Sequence, residues 1–231
     1  MNFNNIKYEI NNMKKLNKKS VLVSFIALII VFLIFLGAKD SDPQTNHINS
    51  FISIIIMLTC YYELIYATAK SCRYVVSDYV NDNKIRLYLM PNGRGKFLLN
   101  KVIAFVGSFA TSSTIGITIG TFLILILSKF INFGFSDNNI NYLRILVTLV
   151  GYLIYLSSVM IFATYVGVRY QSKVSAIIVS IIFLFLFGNA MISTSTSNQV
   201  AFIIIVLVLL FISLLLLLHC VRYINKDEVS R

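Results

Sequence analysis

Six separate stretches of this chain are each about as long and as apolar as a bilayer crossing requires, which limits what it can fold into. They occupy residues 21–38, 51–68, 102–127, 143–168, 174–192 and 200–218. A helix needs about 20 apolar residues to cross roughly 30 Å of hydrocarbon. A chain of 231 residues cannot hide six such runs in one soluble core. Composition agrees, with 58% of residues hydrophobic and 13% charged. None of the runs alternates apolar with polar residues as a barrel strand would. In hydrocarbon each backbone N–H and C=O must find its partner inside the segment, so every run is expected to be helical. The expected fold class is therefore an all-α integral membrane protein with six transmembrane helices.

Residues 1–19 are polar but patterned. Phe3, Ile6, Ile10, Met13 and Leu16 recur at spacings of three and four, while Lys7, Lys14, Lys15, Lys18 and Lys19 occupy much of the rest. This is one apolar face on a basic helix, and such a helix lies in the membrane interface. The alternative is a disordered basic leader. The first apolar run shows no clear small-x-small cleavage site and is read as an uncleaved span.

The 20 Lys and Arg residues orient the spans. With both termini on one side, only Lys39, Lys129 and Arg144 fall on the other. Basic residues gather in cytoplasmic loops, so both termini are expected inside, in a bacterial cytoplasmic membrane. The layout is then a cytoplasmic connecting helix (1–19), a six-span domain (20–221) with a cytoplasmic segment at 69–101, and a cytoplasmic tail (222–231). The net charge of +11 follows from this loop bias. No long basic run with interleaved aromatics points to nucleic acid.

Catalytic chemistry finds little support in the sequence. Cys60, Cys72 and Cys220 form no C-x-x-C, so neither zinc nor a disulfide framework is indicated. His47 and His219 fall on opposite sides, and no H-E-x-x-H occurs. Gly93-Arg94-Gly95-Lys96 lacks the spacing and following hydroxyl of a phosphate loop, since Phe97 follows the lysine. The chain is not expected to be an enzyme. Any ATP chemistry, with its Mg, would belong to a separate subunit.

Four features within the spans stand out. Glu63 sits in Tyr61-Tyr62-Glu63-Leu64-Ile65-Tyr66, toward the inner end of the second span. An intramembrane carboxylate is costly and faces a cavity or a partner; the other reading places it near the interface, solvated or paired with Lys70. Tyr62 is either part of a pathway beside Glu63 or an interfacial anchor. Asn189, after Gly188 in the fifth span, faces a pathway or bonds to a neighbouring helix. Gly116 and Gly120 form a G-x-x-x-G in the third span, suited to close helix packing within the chain or between subunits. The tract Ser193–Ser197 reads as an external turn.

The polar segment between spans two and three carries the most specific pattern. Ile85, Tyr88 and Leu89 share one helical face, with Asp82 as a candidate N-cap and Pro91 as a stop. A basic turn, Asn92-Gly93-Arg94-Gly95, follows. Asp78, the run Leu87-Tyr88-Leu89-Met90-Pro91, Arg94 and Lys101 together resemble the permease subunits of type-2 ABC exporters. The chain departs from that pattern at a Gly-Thr pair, where Asp82-Asn83 stands. The motif covers about residues 78–101, and the likeness in the rest of the chain is one of architecture.

The resemblance implies a short cytoplasmic coupling helix, with Ile85, Arg86, Tyr88, Leu89, Pro91 and Arg94 docking on an ATP-binding cassette ATPase. It implies a second permease chain, the same or related, lining one pathway. It also implies export of amphipathic or antimicrobial peptides taken from membrane lipid or the cell. The alternative is a membrane immunity protein that binds a bacteriocin or toxin peptide directly.

Overall fold

A computed structural model describes residues 3–37, 47–80, 93–131, 133, 135 and 140–226. Among these residues the chain forms helices and no strand. They are α1 (Phe3–Asn12), α2 (Lys14–Gly37), α3 (Ile48–Tyr74), a 3₁₀ turn (Val76–Tyr79), α4 (Arg94–Phe130), α5 (Tyr142–Arg169), α6 (Lys173–Ser197) and α7 (Gln199–Lys226). Six of them, α2 to α7, are long and apolar enough to cross a membrane. The chain is a multi-pass membrane protein by this measure.

Several helix limits differ from the hydropathy pattern for one shared reason. Apolar character stops at the membrane surface, whereas the backbone ladder continues until something caps it. The lysines at 14, 15, 18 and 19 open α2 and do not belong to the first helix. Met13 stands at the junction, with its N–H shared between the carbonyls of Glu9 and Ile10. The basic residues Arg94, Lys96 and Lys101 lie within α4, not in a loop before it. Residues 193–197 are also helical and not an external turn. Their hydroxyls donate back to carbonyls three or four residues earlier, as from Ser195 to Ile192 and from Ser197 to Ser193. Those bonds satisfy the hydroxyls without breaking the helix.

Capping chemistry sets the tight turns. Asn198 separates α6 from α7 and accepts from the N–H groups of Val200 and Ala201. Between α5 and α6, Gln171 adopts a left-handed backbone with φ of 49°. Its N–H reaches the Val168 carbonyl, and the Ser172 N–H reaches that of Gly167. This is a Schellman closure with glutamine where glycine is usual. Ser172 and Asn141 cap α6 and α5 through side-chain oxygens.

The bundle is built around α3 and α5. In its most apolar window α3 is 67% buried and α5 56%, against 22% for α6 and 28% for α2 and α7. The central helix α3 is also the least apolar span. It buries Ser53, Thr59, Glu63, Thr68 and Ser71. Two hydroxyl pairs tie it to its neighbours: Ser53 with Thr148 of α5 at 3.4 Å, and Thr68 with Ser180 of α6 at 3.1 Å. Such interhelical bonds contribute about 0.6 kcal/mol each. At one end Phe32, Phe51, Phe133 and Phe135 form an edge-on cluster, with centroids 5.2–6.4 Å apart.

Small residues set the closest approaches. A Cβ at Gly116 of α4 would collide with the Val21 carbonyl of α2 and stand 2.9 Å from the Ser24 Cβ. One turn on, a Cβ at Gly120 would meet Leu28 at 3.0 Å. The G-x-x-x-G therefore seats α2 against α4 within the chain. The ring of Phe202 on α7 fills a similar notch at Gly151 of α5.

Gly116→Ala should therefore force α2 away from α4 and cost about 1–3 kcal/mol. Gly107→Ala, where nothing lies within 4 Å of an added Cβ, should be neutral or slightly stabilising. Thermal unfolding in detergent, followed by circular dichroism, compares the two. Equal melting temperatures would contradict the close approach.

Candidate functional site

Glu63 is the chemical centre of the bundle. It lies 15 residues beyond Ile48, about 22 Å along α3, and 11 residues short of Tyr74, about 16 Å. Its side chain is fully buried. Neither carboxylate oxygen has a hydrogen-bond partner among the described residues. Lys70 does not pair with it. The lysine ammonium instead sits 5.1 Å from the ring centroid of Tyr66. A charged side chain at the centre of a membrane helix costs about 3 kcal/mol on insertion scales, so an ionised Glu63 would need a compensating cation.

Four helices meet around the carboxyl. Cys60 and Tyr66 on α3, Ser24 on α2 and Tyr152 on α5 are within electrostatic or near hydrogen-bonding reach of it. Ser113 of α4 stands beside Tyr152. The Gly116 notch makes this convergence possible, because it draws Ser24 and the α4 backbone together at that level. Tyr152 is fully buried, and its hydroxyl is unpartnered too.

Tyr62 points the other way. It is half exposed and stacks on Tyr66, with centroids 6.4 Å apart and planes 6° from parallel. It walls an apolar groove of about 300 Å³ between α2 and α3, lined otherwise by Val23, Ile26, Ala27, Ile30 and Val31. Asn189 is not part of this neighbourhood. It lies on the exposed face of α6 and bonds to no neighbouring helix among the described residues. Gly188 beside it faces inward, where an added Cβ would stand 2.6 Å from the Tyr61 hydroxyl.

The second candidate region is the segment linking α3 to α4. Ile85, Arg86, Tyr88, Leu89 and Pro91 lie outside the described residues. Its two flanks are defined. The Lys101 ammonium forms an ion pair with Asp78 across the gap, and it also stands 5.4 Å from the Phe97 ring. Tyr74 stacks near Phe105, at 6.2 Å, on the same flank. Burial holds the Tyr79 phenol above its ordinary range, and neighbouring Asp78 pushes the same way. Arg94 opens α4, preceded by Gly93 at φ 130°. The positive φ there suits glycine and lets the chain turn directly into the helix.

The same end of the bundle holds other cross-links. The Cys72 thiol donates to the Lys173 carbonyl at 3.3 Å, and the Arg169 guanidinium lies 3.8 Å from the Tyr223 ring centroid. The three cysteines are free and buried. No cluster of three or more metal-ligating side chains occurs among the described residues.

No protein-family model matches the chain, and no curated protein or solved structure matches it either.

The Asp78–Lys101 pair has side chains 30% and 14% exposed, between surface and core. Asp78→Lys and Lys101→Asp should each lower stability by up to about 1 kcal/mol. The double reversal should recover most of that loss. Thermal melts of all four proteins complete the cycle, and additive losses would show that the pair does not interact.

Proposed function

We propose that this chain is the membrane-spanning permease subunit of an ATP-driven exporter of the type-2 ABC class. It sits in a bacterial cytoplasmic membrane with both termini inside and moves amphipathic or antimicrobial peptides outward. The observation that supports this reading best is the Asp78–Lys101 ion pair. These residues are the acidic and basic landmarks of the permease-like pattern, and they are far apart in sequence. Their pairing brings the two ends of the intervening segment together at one end of the bundle. A segment held at both ends can be presented as one docking element, with Ile85, Tyr88 and Leu89 as its apolar contacts.

Three further features fit. α1 turns Ile6 inward and Lys7, Tyr8 and Ile10 outward, which suits a helix whose outer side meets a membrane surface. Apart from Lys39, Lys129 and Arg144, the basic residues fall by sequence in segments on the same side as residues 69–101. The groove bearing Tyr62 is apolar and open at the side of the bundle, which suits a substrate entering from lipid. The peptide would pass between this chain and a second permease chain. ATP and Mg would bind in the separate ATPase.

Affinity capture of the tagged chain from its native membrane tests this. An ATP-binding cassette ATPase should co-purify, and the captured complex should hydrolyse ATP. Tyr88→Asp or Leu89→Asp should reduce capture about tenfold or more, as loss of an interface anchor does, with helical content unchanged. Undiminished capture by both variants would overturn the docking assignment. A wild-type chain that binds peptide but captures no ATPase would favour the immunity-protein reading.

A further inference from the structure

We infer that Glu63, together with the hydroxyl groups of Tyr152, Ser24 and Ser113, forms a binding site for a monovalent cation, a proton or a sodium ion, inside the bundle. The inference does not depend on the export reading, because every group in the site comes from this chain.

Glu63 is fully buried and both its oxygens lack partners among the described residues. The two serine hydroxyls near it do not offer their protons. Ser24 donates to the Ser20 carbonyl at 2.8 Å, and Ser113 donates to the Ala110 carbonyl at 3.1 Å. Both protons are thus committed to their own helices, and each hydroxyl turns lone pairs toward its surroundings. Tyr152 adds a second buried and unpartnered hydroxyl from α5, which can accept through its oxygen and donate its one proton. Even with that proton and the Cys60 thiol as donors, two carboxylate oxygens and three hydroxyl oxygens leave an excess of acceptors, which suits a cation.

The charge and type of the ligands narrow the choice. One carboxylate among neutral oxygens matches a single positive charge. A divalent ion such as calcium is usually held by several carboxylates or carbonyls. A softer metal would want a set of thiols and imidazoles, and no group of three His, Cys, Asp or Glu forms among the described residues. Among the described residues no ammonium pairs with the carboxylate, and Lys70 is held over Tyr66. The ionisable groups facing Glu63 are Cys60 and Tyr66 on its own helix and Tyr152 on α5. The serines from α2 and α4 contribute neutral hydroxyls.

The test uses the whole purified chain in nanodiscs of zwitterionic lipid, with no ATPase present. Wild type, Glu63→Gln and Tyr152→Phe are melted in sodium chloride and in choline chloride at equal ionic strength, from mildly acidic to mildly alkaline pH. Infrared spectra record the carbonyl stretch of protonated carboxyl groups over the same range. If sodium is the ligand, replacing choline by sodium should raise the wild-type melting temperature by about 3 °C or more. The sodium half-point should then be about tenfold weaker in Tyr152→Phe. If the ligand is a proton, the wild-type spectrum should keep a protonated-carboxyl band at pH values where surface carboxylates are ionised, and Glu63→Gln should lack it. Glu63→Gln, whose amide carries its own donors, should respond to neither ion. The wild-type spectrum and melts alone decide if that variant does not fold. A wild-type protein with no sodium response and no such band would overturn the inference, as would an unchanged response in a folded Glu63→Gln.

Discussion

The arrangement depends on where the polar span can go. Hydrocarbon offers no hydrogen bonds, so a helix carrying Ser53, Thr59, Glu63, Thr68 and Ser71 is disfavoured at the lipid surface. The structure places α3 in the interior and surrounds it with α2, α4, α5 and α6. The most apolar helices, α2 and α7, are left largely exposed. The bundle is thus sorted by polarity in the reverse sense to a soluble protein. Its polar atoms are inside, and its large exposed surface of Leu, Ile, Val and Phe faces outward. Within that interior most hydroxyls satisfy themselves locally, on the preceding turn. Glu63 has no such local option, because a carboxylate has no proton to give.

The spans were legible in the sequence because hydropathy directly measures the cost of leaving hydrocarbon. Their ends were not. Arg94–Lys101 and Ser193–Ser197 are polar and look like loops, yet both continue a helix. What extends them is backbone hydrogen bonding, which hydropathy does not sense. Helix termination was legible where a cap marks it, as at Asn198. It was not legible at Gln171, a left-handed residue without the glycine that signals one.

The site was legible in part. A lone acid in an apolar run marked Glu63, and G-x-x-x-G marked the close approach at Gly116. Sequence left two roles open for each, and the contacts distinguish them. Lys70 stands over Tyr66 and Glu63 has no counter-ion among the described residues, while Gly116 packs against Val21 and Ser24 of the same chain. The orientation of Asn189 has no such signal in the sequence. α6 is apolar on every side, so its pattern gives no phase by which to tell an inward residue from an outward one. The inward side is set by Ala176, Ser180, Gly188, Met191 and Ser195. That order reflects small side chains fitting α3 more than it reflects polarity. Ser24, Ser113 and Tyr152 were missed as companions of Glu63 because they lie on three other helices, and no sequence spacing connects them.

The length of α4 has a mechanical consequence. Its 37 residues make a rod of about 56 Å, well beyond the roughly 30 Å that hydrocarbon spans. Much of it therefore projects past the apolar layer, and the Asp78 pairing at Lys101 fastens that stub to the base of α3. The same rod passes Val21 and Ser24 of α2 at Gly116. The stub and the layer that holds Glu63 are therefore joined by one unbroken helical backbone.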